Sequence, residues 1–230
     1  MQDSSNFKFP LPGCTDSPGC LPGSSGVSSL IDTGATMISP MLFLLAFLQL
    51  EAAPPPQPPL QAVQAGVVVL GAEVNAARRL DPPSVIYGAA PFVGPSVDSL
   101  RAWEFGPYTP AGENMSITFL YRSRTVLPDQ PYEFDLETEC CPGPDRPPLP
   151  TKIVDPGYPV NSVGEGAVVL HLWIDAAGRI EHVMVVRPEP SLTEAAYRAV
   201  WNWEFTPAIV NGRAVRSSAA VVVSFLRPVL

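Results

Sequence analysis

The chain has 230 residues, 46% of them apolar, and carries a net charge of −8. That is enough apolar material to bury a core in one or two domains, and it excludes a chain disordered throughout. Lys8 and Lys152 are the only lysines and the arginines are scattered, so no basic patch tracks phosphates and no nucleic-acid partner is expected.

Residues 1–40 form a polar, Gly/Ser/Pro-rich leader, either disordered or lying upstream of a true start at Met37 or Met41. Then comes "MLFLLAFLQL" at 41–50, about half the run of roughly 20 apolar residues that a spanning helix needs. The segment 41–53 reads as the apolar region of an export signal, with Ala52 and Ala53 at the cleavage position. A short membrane anchor and a buried apolar segment are the alternatives, and Glu51 and the lack of any Lys or Arg between Lys8 and Arg78 depart from the usual signal pattern. Prolines then cluster at 54–59, 82–95 and 142–159, and 54–59 reads as a stiff spacer.

Residues 58–122 and 158–228 repeat one another at a shift of one hundred. Gly66 meets Gly166, "VVL" at 68–70 meets "VVL" at 168–170, Arg79 meets Arg179, and "AWEFGP" at 102–107 meets "NWEFTP" at 202–207. The register continues without a gap to Gly112 and Gly212, which marks two copies of one module. Pro82, Pro83, Gly94 and Pro95 make the first copy a degenerate, shortened version, because proline cannot donate a ladder hydrogen bond. Residues 123–157 are expected to be a Pro-rich linker between the copies. Cys140 and Cys141 are adjacent within it, and with no CxxC spacing in the chain zinc has no support.

The second copy is the more legible. Val168, Leu170, Leu172 and Ile174 alternate as a half-buried strand, "DAAGR" at 175–179 turns on Gly178, and a return strand from Ile180 carries a bulge near Glu181. A turn centred between Ala176 and Ala177 would set His171 opposite His182, two ligands being too few for a metal site. Ser191 and Glu194 have capping-box spacing ahead of a helix whose apolar face runs from Leu192 to Trp203. Phe205 plugs the crossing to the next strand, Pro207 stops the helix, "NG" at 211–212 turns the chain, and Val215–Leu226 alternates again. The fold class is α+β: two tandem β-β-α-β modules, each a helix on a small antiparallel sheet. Trp203, Phe205, Pro207, Gly166 and Gly178 are its structural motif, so the repeated phrase reports fold rather than catalysis.

"YP" at 158–159, Gly166, "VVLHLWIDAAGRI", "AVWNWEFTPAIVNGRAV" and the closing "VVVSF" resemble the C-terminal domain of TonB proteins. The likeness covers about seventy residues; for 58–122 it follows only through the repeat. It implies an exported protein, periplasmic or anchored in the inner membrane and facing the periplasm, that adds a short segment of an outer-membrane receptor or other envelope protein to its sheet, in energy-coupled transport. The strand receiving it would be Val215, Ser217, Ala219, Val221, Val223 and Phe225, offering an open edge. The family's anchor carries a His that the run 41–50 lacks. A structural envelope protein whose paired domains associate with each other, without energy transduction, is the alternative; a covered edge would favour it. No nucleophile with a base, phosphate loop or paired acids point to an enzyme, and no cofactor is expected.

Overall fold

Two runs of valine and leucine, at 67–70 and 168–170, lie in strands as long as any in their halves, because β-branched and apolar residues suit a surface covered on both faces. The computed structural model describes residues 50–57, 65–106, 112–136 and 145–229. In the first half these form strands β1 (Leu50–Ala52), β2 (Gly66–Glu73) and β3 (Ser84–Tyr87), helix α1 (Val93–Leu100), and strands β4 (Glu104–Phe105) and β5 (Asn114–Tyr121). Two strands follow, β6 (Tyr132–Glu133) and β7 (Leu149–Ile153). The second half holds β8 (Gly166–Ile174), β9 (Ile180–Arg187), helix α2 (Thr193–Val200), β10 (Glu204–Thr206), β11 (Ala208–Val210), β12 (Arg213–Val215) and β13 (Ser217–Phe225). The chain is α+β and mostly sheet, and its two halves follow the same order of elements.

Six strands make one continuous sheet in the order β3-β2-β5-β13-β8-β9. Every pairing is antiparallel except β5 with β13, which run parallel from Ser116 opposite Ala219 to Tyr121 opposite Ser224. Of the expected open edge at Val215–Leu226, Ala219–Ser224 is therefore filled on both sides. Gly66 lies opposite Tyr121 and Gly166 opposite Phe225. The spacing of one hundred thus holds for the first strands and widens to 104 at the last. The longer second half carries the β11–β12 hairpin, whose Asn211 and Gly212 take the two positive φ values (51° and 71°) that a tight two-residue hairpin turn requires.

The helices cover opposite faces of the sheet. Under α2 lie Val168, Leu170, Leu172, Val221, Val223 and Phe225, joined by Val67, Val69 and Leu120 of the first half. Under α1 lie Val68, Leu70, Ile117 and Phe119, joined by Ala167, Val169, Ala220 and Val222 of the second. Each core is thus built from both halves. Where sequence reading put a linker at 123–157, the described residues are packed: Leu136, Leu149 and Ile153 are buried in the core under α2, and β7 joins β6 and β10 in a small sheet. Arg122 and Asp155 form a fully buried ion pair that ties the end of β5 to this segment. Asp155 also accepts hydrogen bonds from the amides of Asp129 and Gly157, both at 2.9 Å, and the Arg122 guanidinium lies 5.5 Å from the centre of the Phe225 ring. Cys140 and Cys141 lie outside the described residues.

Three other expectations change. Leu50 and Ala53 are buried in the core under α1, and β1 pairs with β4. The carbonyl of Pro54 accepts bonds from Trp103 Nε1 (3.2 Å) and Ser99 Oγ (2.7 Å), as that of Val154 accepts one from Trp203 Nε1 (2.9 Å). The expected cleavage position at Ala52–Ala53 and the spacer beginning at Pro54 are thus parts of the fold; residues 1–40 and 41–49 lie outside the described residues. The capping box does not form. Ser191 adopts φ 65° and its hydroxyl meets that of Ser162 at 2.6 Å, while Thr193 Oγ1 accepts from the Glu189 amide at 2.8 Å and α2 starts later. The bulge near Glu181 does form, since Trp173 pairs with His182 and Ile174 with Ile180. No helix among the described residues is long and apolar enough to cross a membrane.

Because Leu50 is buried to 4% exposure, Leu50→Ala should destabilise the full chain by about 2–5 kcal/mol in urea unfolding. A loss below about 0.5 kcal/mol would show that β1 is not part of the stable fold.

Candidate functional site

The strand proposed from sequence to receive a partner occupies the middle of the sheet. Val215 sits in β12 opposite Ala208, whereas Ser217, Ala219, Val221, Val223 and Phe225 lie in β13, bonded to β8 along Ser217–Phe225 and to β5 along Ala219–Ser224. The physical reason is in the residues between them. Ala220 and Val222 are as buried as Val221 and Val223, so both faces of β13 are apolar and the strand belongs inside a sheet.

That leaves the outer strands as the edges of the six-stranded sheet. β9 is eight residues long and pairs only with β8 among the described residues. Val183 points into the core under α2, while Glu181 at the bulge forms an ion pair with Arg216. β3 is half that length, follows Pro82 and Pro83, and exposes Val85 and Tyr87. A cleft of about 500 Å³ adjoins it, lined by Gly66, Ile86, Phe92 and Tyr132 among others.

The motif residues hold the ends of the sheet. Gly178 has φ 81°, and a Cβ there would stand 2.2 Å from the carbonyl oxygen of Phe205, so the β8–β9 turn can sit on the helix exit only as glycine. Pro207 Cδ would lie 3.4 Å from the same Cβ, Trp203 and Phe205 are buried beside each other, and a Cβ on Gly166 would meet Glu189 at 2.7 Å. These contacts pack the turn, the helix exit and the strand start against one another.

On the face of β8–β9 turned toward α1, the bulge shifts the expected register. His171 lies opposite Met184 and His182 opposite Trp173, so the two histidines are diagonal neighbours rather than a facing pair. His171 is wholly buried, neither ring nitrogen has a partner, and burial, with a smaller push from His182, lowers its pKa to about 3. No group of three His, Cys, Asp or Glu able to hold a metal occurs among the described residues. Sequence reading passed over the β9 edge and Met184; an unbroken apolar run at 219–223 pointed to the first and a correct count across the Glu181 bulge to the second.

Lowering of the His171 pKa sets the sign of an acid effect. The unfolded chain takes up its proton near pH 6.5 and the folded one only near pH 3, so the stability that neutral His171 contributes is complete above about pH 6.5 and is lost as pH falls from there toward 3. Between pH 7 and 4.5 this group should remove roughly 2–3 kcal/mol, and His171→Phe should lose correspondingly less in paired urea titrations. Equal losses in both proteins would reject the assignment.

The family model described as Gram-negative bacterial TonB protein C-terminal matches residues 161–226, wholly within the second half. The α+β arrangement, mostly sheet with two helices among the described residues, agrees with the fold of that family. No curated protein and no solved structure matches the chain.

Proposed function

We propose that the chain is an exported, TonB-like envelope protein facing the periplasm, made of two copies of one TonB C-terminal-type module, the first degenerate. The first copy is 58–122, its described residues 65–106 and 112–122 being preceded by β1, and the second is 158–228. In this reading the protein binds a short extended segment of an outer-membrane receptor or other envelope protein by strand addition, and the binding strand is β9. The observation that carries it is an eight-residue edge, Ile180–Arg187, bonded on one side only and lying within the residues that match the family. β3 is the poorer acceptor because it is shorter and follows two prolines.

Roughly four new backbone hydrogen bonds along such an edge contribute about 0.5–1.5 kcal/mol each. After the cost of ordering the peptide this corresponds to a dissociation constant of about micromolar to millimolar, suited to a partner that is gripped and released. Energy-coupled transport would further require the chain to be anchored in the inner membrane ahead of β1.

One observation favours a second reading. The β13 edge is already filled by the chain's own β5, as in a structural envelope protein whose modules pair with each other and transduce no energy. Outer edges of neighbouring chains would then associate. NMR titration of the full chain with ten-residue peptides from the periplasm-facing segments of outer-membrane receptors separates the two. Peptide capture should shift and protect alternate amides of Glu181–Arg187 while those of β13 stay unchanged. Silence along β9 at millimolar peptide would sink it, and concentration-dependent dimers in sedimentation would then support the second reading.

A further inference from the structure

The face of the β8–β9 hairpin that carries His171 has no role in strand pairing, yet it gathers unusual side chains. His171 faces Met184 across the ladder and Trp173 faces His182, so the four stand at the corners of one square. Opposed residues on a ladder hold their Cβ atoms about 4.5–5.5 Å apart, and same-face neighbours along a strand lie about 7 Å apart. The Trp173 ring is centred 4.5 Å from that of His171 and 5.0 Å from that of His182. At the buried corner both nitrogens of His171 lack a hydrogen-bond partner, a state that requires an explanation in a folded protein.

The square has a consistent chemistry. Its donors are two imidazoles and a thioether, with no carboxylate at any corner. Hard divalent cations prefer oxygen, whereas imidazole with thioether suits a soft monovalent ion. The Trp173 face supplies an electron-rich surface alongside. Access is open from one side: His182 is exposed, and Trp173 and Met184 are half-buried. One hundred residues earlier, the positions matching His171, Trp173 and His182 hold Gly71, Glu73 and Pro82. The cluster is thus peculiar to the second half and is not demanded by the fold.

We infer that His171, Met184 and His182, with Trp173 alongside, form a binding site for a soft monovalent cation, Cu(I) being the expected ion. This reading is independent of strand addition at β9, since it uses side chains on one face rather than backbone groups at the edge.

Ag(I), a redox-stable stand-in for Cu(I), provides the test. The titrated protein is the full chain with Cys14→Ser, Cys20→Ser, Cys140→Ser and Cys141→Ser, because free thiolates are also soft donors. One equivalent should shift the Met184 methyl, His171 ring and Trp173 indole signals in a saturable way. Met184→Leu, which conserves volume, should weaken binding at least tenfold, and His171→Phe should abolish the shifts. The proposal is overturned if those three signals stay in place at excess Ag(I), or if either variant binds as tightly as the parent.

Discussion

The parallel pairing of β5 with β13 is the constraint on which the rest of the molecule depends. It joins the outermost strand of one half to that of the other through a six-residue ladder, from Ser116 and Ala219 to Tyr121 and Ser224. Parallel pairing with helices on opposite faces means that the halves are related by a twofold-like rotation about an axis lying in the sheet, along the strands. Side chains of each half therefore enter the core beneath the other's helix, as Val67 and Val69 do under α2 and Val169 and Val222 under α1. Neither half can leave without opening two cores. A lone module of this size would have a thin core; sharing the sheet supplies each half with apolar surface that it lacks.

The same arrangement explains why the corners recur. Each helix ends in a tryptophan whose Nε1 donates to a carbonyl 49 residues upstream, Trp103 to Pro54 and Trp203 to Val154. The strand leading into that carbonyl, β1 or β7, pairs with the strand just beyond the tryptophan, β4 or β10. A Pro-rich segment is well suited to this path, since it supplies a carbonyl without needing a partner for an amide it lacks. The buried Arg122–Asp155 pair fixes the route between the halves. Replacing such a pair by apolar residues is often neutral, whereas removing one partner leaves an unpaired charge, so it specifies one path more than it stabilises it.

Much of the second half was legible because its signals are local. Alternation gave β8, the break in parity gave the bulge at Glu181, and Asn211-Gly212 gave the hairpin turn. What failed depended on distant partners. Ser191 and Glu194 have cap spacing, but Ser162, 29 residues upstream, meets the serine hydroxyl. Leu50 belongs to an apolar run that composition alone reads as an export signal, and only the distant Phe105 reveals that it is in a strand. Residues 123–157 look like a spacer because proline dominates them, while Leu149 and Ile153 find their places only against the other half's core.

The misreading of β13 is the most instructive for function. A single module must leave one side of its last strand open, and reasoning from one module therefore finds an edge at Val215–Leu226. The five apolar residues from Ala219 to Val223 argued otherwise, since an edge strand with one wet face would alternate. Filling that edge from within the chain moves any capacity for strand addition outward by two strands. There the residues are more polar and the strand is bulged, features that blunt an edge against indiscriminate pairing. Any strand added to an edge protected in this way would have to match its twist and accommodate the Glu181–Arg216 pair. Selectivity at β9 would thus come from the bulge and its charges, not from apolar area.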